Sequence, residues 1–124
     1  MKRDYKLFVH DILKAIKDIE LFVKDMDYAA FSVDEKTKSA IVWQIHIIGE
    51  ATKNLPKSLT DKYEGLPWKY MARIRDKIAY FYFGIDYEIV WDVVTNKLPG
   101  IRPGIERILS ELESAESSSS TPPP

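Results

Sequence analysis

Residues 68–91, WKYMARIRDKIAYFYFGIDYEIVW, decide how this chain reads. Pro67, whose missing N–H costs nothing in the first turn of a helix, stands just before Trp68. The stretch predicts a helix over 68–83, with Gly84 as its C-terminal cap. Asp86 is the expected N-cap of a following helix over 87–96. Successive residues of a helix turn by about 100°. Arg75 and Tyr82, seven apart, would then share a face, and Asp76 and Tyr80, four apart, an adjacent one. Such a surface offers an always-charged phosphate-binding group beside phenols that can stack on bases. The same spacing equally suits an aromatic core stripe, with Tyr80, Phe81, Tyr82 and Phe83 filling a bundle and the charges solvated, and spacing alone favours that plainer reading.

Outward from this stretch, every segment with clear periodicity reads as helix. Residues 4–26 place Tyr5, Phe8, Ile12, Ile16, Ile19, Phe22, Val23 and Met26 in steps of three and four, one stripe of an amphipathic helix. Ser32 followed by Glu35 has capping-box spacing and predicts a helix over 32–54. Its middle, Ala40 to Gly49, is apolar nearly all round, which implies burial on more than one side and hence a central helix or a subunit interface. Gly49 inside it costs up to about 1 kcal/mol relative to Ala, acceptable where another helix approaches closely. Residues 56–67 read as a connector with one helical turn around 59–63. Pro99 and Pro103 are expected to break or kink the chain beyond residue 96, leaving a last short amphipathic helix through Ile101, Ile105, Ile108, Leu109 and Leu112. The expected fold is all-α, an up-and-down four-helix bundle with a short fifth helix over residues 1–113, homodimeric through the broad apolar surface of its second helix. Residues 114–124, rich in Ser and Pro, form a tail outside the bundle.

Composition removes several function classes. The 124 residues are 45% hydrophobic and 30% charged, with five Gly and no Cys. Disulfides, thiolate zinc sites and Cys nucleophiles are excluded, and a reducing, cytosolic setting fits. No apolar run approaches the roughly 20 residues that span a bilayer. Neither His10 nor His46 sits in a His-x-x-x-His or Glu-x-x-His spacing, so no metal ligand set is expected. Nucleotide loops and serine-nucleophile elbows are absent. Net charge is −1, yet residues 50–77 carry seven basic and four acidic side chains, a local +3 against −4 elsewhere. This basic segment suits either phosphates or a solvated helix face.

Taken in order, the motifs resemble the HEPN ribonuclease toxins of the HepT type, from prokaryotic type VII toxin–antitoxin modules. The family pattern R-[ND]-x-x-x-H-x-Y, then F-G-I-D and V-W, is matched by Arg75-Asp76-Lys77-Ile78-Ala79-Tyr80-Phe81-Tyr82, Phe83-Gly84-Ile85-Asp86 and Val90-Trp91. Ile47-Ile48-Gly49-Glu50-Ala51, Trp68 and Leu98-Pro99 also look like the family, so the resemblance spans residues 4–113. It implies a homodimer whose two motifs meet in an interface cleft, metal-independent RNA cleavage without a cofactor, and a partner nucleotidyltransferase antitoxin of the MntA type that transfers AMP to the motif tyrosine, Tyr82 here. It further implies Arg75 on the scissile phosphate and Asp76 orienting the site; Lys69, Arg73 and Lys77 of the basic segment are the expected RNA-binding residues.

One position departs from the pattern: Tyr80 stands where the family has histidine. Histidine titrates near neutrality and can take or give a proton in the cleavage step. Tyrosine, with a pKa near 10, stays protonated at pH 7 and is a poor base. The resemblance therefore implies an impaired endoribonuclease, either a natural inactive member or an active toxin disarmed by His→Tyr; the intact surroundings favour the second. On a straight helix Arg75 and position 80 diverge by about 140°, so a shared cleft or an irregular helix end is needed to join them. A different class of reading is a non-catalytic helical module that binds a nucleotidyltransferase partner. A plain RNA-binding bundle is weaker, given the net charge.

Overall fold

The computed structural model describes residues 4–79 and 84–119. Among them the chain is all-α. α1 (Tyr5–Phe22) packs along α3 (Glu35–Lys53), and α8 (Leu98–Ser119) lies against α1. Ile12, Ile16 and Ile19 of α1 meet Ile41, Ile45 and Ile48 of α3 in one core cluster, closed by Ile105 and Ile108 of α8, all fully buried. Arg102 reaches from α8 to Glu20 of α1 in an ion pair at the edge of this core. No helix among the described residues is long and apolar enough to cross a membrane.

The start of the second long helix lies later than the capping box suggested. Asp27 caps a short α2 (Tyr28–Val33), its carboxylate accepting from Ala30 N–H at 2.8 Å. Ser32 falls inside α2 and donates instead to the Ala29 carbonyl. Asp34, not Ser32, is the N-cap of α3, accepting from Thr37 N–H at 2.9 Å. That hydrogen bond is the main reason its carboxyl titrates below the ordinary carboxylate range. α3 is also more one-sided than its composition implied: Ile41, Ile45 and Ile48 are buried, while Trp43 is 60% exposed.

Gly49 lies where expected, against another element. An added Cβ would stand 3.5 Å from Ile74 Cγ2 and 3.6 Å from the Ala72 carbonyl, ordinary van der Waals contact. Gly49→Ala should therefore fit and recover helix propensity, stabilising the protein by up to about 1 kcal/mol in urea titration. A loss of stability would show that the approach is tighter than this packing implies.

α4 (Lys57–Lys62) is the expected helical turn of the connector. Over its described part, residues 68–79, the helix expected over 68–83 is instead two short ones. α5 (Trp68–Ala72) ends at Arg73, whose φ of −106° and ψ of 16° leave the helical range, and α6 (Ile74–Lys77) follows. No Gly or Pro causes this break. Met71, Ile74 and Ile78 are all fully buried, and seating them against α3 overrides local propensity. After Lys77 the Ile78 carbonyl, which a continuing helix would use internally, accepts the Asp86 N–H at 2.8 Å, and Ala79 pairs with Ile85 in an antiparallel bridge. The helix end that Gly84 was expected to cap, over residues 80–83, lies outside the described residues. The Gly84 φ of +96° serves the return of the chain toward Asp86, a conformation that side chains rarely adopt.

Asp86 does cap the next helix, accepting from Glu88 and Ile89 N–H at 3.0 and 3.2 Å. α7 (Tyr87–Asp92) does not stop near residue 96. It passes through a π-helical turn (Val93–Lys97) directly into α8, which contains Pro103. The wider turn changes hydrogen-bond register just before Pro99, so the prolines are absorbed rather than breaking the path. The last helix is accordingly long, not short, at 22 residues.

Candidate functional site

Arg75 lies on α6, one residue beyond buried Ile74, and its side chain is exposed. It lines an open groove of about 380 Å³ with Ser39, Val42, Trp43 and His46 of α3 and Tyr87 of α7. Three elements distant in sequence thus form the walls. Ile74 and Met71 anchor the Arg75 segment to α3, and Asp86 fixes the first turn of α7. Tyr87 is held from two sides: Phe31 packs edge-on at 6.4 Å between ring centroids, and the Lys38 ammonium lies 4.3 Å over its ring. Lys38 is itself tethered to the Ser32 carbonyl and Glu35 at 3.1 and 3.0 Å.

The lining is chemically uneven. Among the described residues it holds a guanidinium, three rings, two hydroxyls and the Val42 side chain, and no carboxylate. Among the described residues no acid pairs with Arg75, so its donors are free for an anion. Trp43 and His46 lie 5.5 Å apart between ring centroids, tilted by 31°.

The expected site residues separate in space. Asp76, next to Arg75 on α6, is exposed and forms no ion pair with Arg73, although helical spacing would allow one. Lys69, Arg73 and Lys77 are exposed, and none of them lines the groove. Tyr80 and Tyr82 lie outside the described residues. The relations expected between them and Arg75 or Asp76 therefore lie outside the described residues as well. α6 ends at Lys77, and the chain leaves the helix at Ile78.

Trp43 and His46 were not singled out by the sequence as site residues. Their spacing carried a signal: Ser39, Trp43 and His46 recur at steps of four and three and so share a stripe. The surrounding Ile and Val residues hid it. Among the described residues no three His, Asp or Glu side chains gather closely enough to hold a metal ion.

Comparison with known proteins agrees with the motif order. The family model described as "Ribonuclease HepT-like" matches residues 12–108. A Methanocaldococcus jannaschii protein named "Putative RNase" is 46% identical over 118 residues, covering 95% of this chain and 98% of its own length. A second protein of that organism, with the same description, is 42% identical over 112 residues, covering 90% and 97%. "Probable ribonuclease HepT" of Thermococcus cleftensis is 37% identical over 108 residues, covering 87% and 98%. No solved structure gives a significant match.

Proposed function

Since the chain belongs to the HepT-like ribonuclease family, we propose that it is an endoribonuclease toxin acting without metal at the Arg75 groove, impaired here by Tyr80. The observation that carries this reading is Arg75 itself. It is the first residue of the family motif, it is exposed and without an acidic partner among the described residues, and it opens into a carboxylate-free groove. Its guanidinium would hold the scissile phosphate and stabilise the charge that develops on it. Position 80, as histidine, would move the proton, Asp76 would orient the site, and Lys69, Arg73 and Lys77 would follow the RNA backbone. A second copy of the chain would complete the cleft, with both Arg75 side chains facing the two-fold axis. The partner would be a nucleotidyltransferase of the MntA type that silences the toxin by placing AMP on Tyr82. A cytosolic setting follows from such a substrate and partner, with residues 1–113 as the working domain and 114–124 as a tail.

Expressing the Tyr80→His protein tests the toxin reading. Growth should slow, recover when the nucleotidyltransferase is co-expressed, and recover together with an AMP adduct on Tyr82 in mass spectra. Unimpeded growth with no RNA cleavage contradicts it. The Tyr80 substitution itself favours one other reading, a non-catalytic module that binds the nucleotidyltransferase. That reading expects partner binding to persist and Tyr80→His to change nothing.

A further inference from the structure

We propose that Trp43 is a nucleobase platform, a subsite that stacks one base of single-stranded RNA while Arg75 holds a neighbouring phosphate. The proposal rests on the ribonuclease reading above and names how that site takes its substrate.

Trp43 is 60% exposed on a helix whose other large apolar residues are buried or half-buried. Trp43 is the exposed large hydrophobic of α3 among the described residues. It forms a wall of the groove that contains Arg75, and the rest of the lining is Ser39, Val42, His46 and Tyr87. His46 packs beside the indole, 5.5 Å away between ring centroids and tilted by 31°. An indole held in this way gives a base a flat, sequence-tolerant surface at little ordering cost. A guanidinium without an acidic partner among the described residues, in the same groove, supplies the anion site. Aromatic rings beside a free guanidinium, with no carboxylate, match one ligand class: a base with its attached phosphate.

The experiment uses the full chain with Tyr80 in place and a single-stranded RNA oligonucleotide, followed by tryptophan fluorescence and a binding titration. RNA should quench the parent's fluorescence. Trp43→Leu should remove most of the quench and weaken binding by about 5- to 100-fold, while Trp43→Phe keeps most of the affinity. An oligonucleotide with abasic sites should bind parent and Trp43→Leu alike. Trp43 is exposed, so both variants should fold. Unchanged RNA affinity in Trp43→Leu, with affinity lost in Arg75→Ala, overturns the platform and leaves the ribonuclease reading standing. A shift of Trp43→Leu from dimer to monomer in sedimentation, with RNA affinity kept, assigns Trp43 to a copy interface and also overturns it. No RNA binding by the parent overturns both.

Discussion

Replacing Tyr80 by histidine is expected to raise metal-independent RNA cleavage by about 10²–10⁴-fold, the range that a positioned acid–base group contributes. Cleavage without metal requires the 2′-OH to lose its proton as it attacks the phosphorus, and the departing 5′-oxygen to gain one. A phenol with a pKa near 10 holds its proton at pH 7 and can only donate, whereas imidazole near 6.5 exchanges protons at that pH. The restored activity should persist in EDTA and should titrate near pH 6.5, a dependence the Tyr80 protein lacks. Activity that appears only with added divalent ions would place the chemistry elsewhere.

Removing Phe31 is expected to have the largest effect on stability. Phe31 is fully buried where α2 meets α7. Its ring centroid lies 5.0 Å from Trp91, 6.3 Å from Tyr28 and 6.4 Å from Tyr87. Truncation would lose the transfer energy of the ring and open a cavity among three other rings that cannot all collapse into it. Phe31→Ala should therefore cost about 3–5 kcal/mol. Against a total stability of about 5–15 kcal/mol, this should lower Tm by roughly 10–20 °C. Val33, two residues on and 78% exposed, is the control: Val33→Ala should change stability by no more than about 0.5 kcal/mol. Equal effects at the two positions would show that α2 does not pack against these rings. Because Phe31 also backs Tyr87, its loss should weaken the groove wall before the protein unfolds.

Phe31 and Arg75 differ in how far residues alone could reveal them. Long amphipathic stripes announce themselves, so α1, α3 and the all-α class were legible, as were the Asp86 cap and the helical turn after Pro56. α2 has six residues, too few for periodicity to register, and Asp34, the cap that separates it from α3, fell inside the helix expected over 32–54. The end of α6 carries no Gly or Pro. It is set by a hydrogen bond from Asp86, eight residues beyond Ile78, which no local rule contains. The prolines misled in the opposite direction, because a π turn shifted the register ahead of them. At the site, the motif identified Arg75, but its neighbours Trp43 and His46 come from a helix about 30 residues earlier, brought in by packing of Ile74 against the Gly49 face.

If Arg75 in its groove carries RNA cleavage, removing its guanidinium must abolish most of the activity that histidine restores at position 80. The most direct measurement compares Tyr80→His with the double variant Tyr80→His/Arg75→Ala on single-stranded RNA in EDTA, with Tm recorded for both. Arg75 is exposed and without an acidic partner among the described residues, so Tm should be unchanged. Cleavage should fall by about 10²–10³-fold, the loss expected when one preorganised charge is removed from the transition state. Equal cleavage by the two proteins would contradict a catalytic role for Arg75.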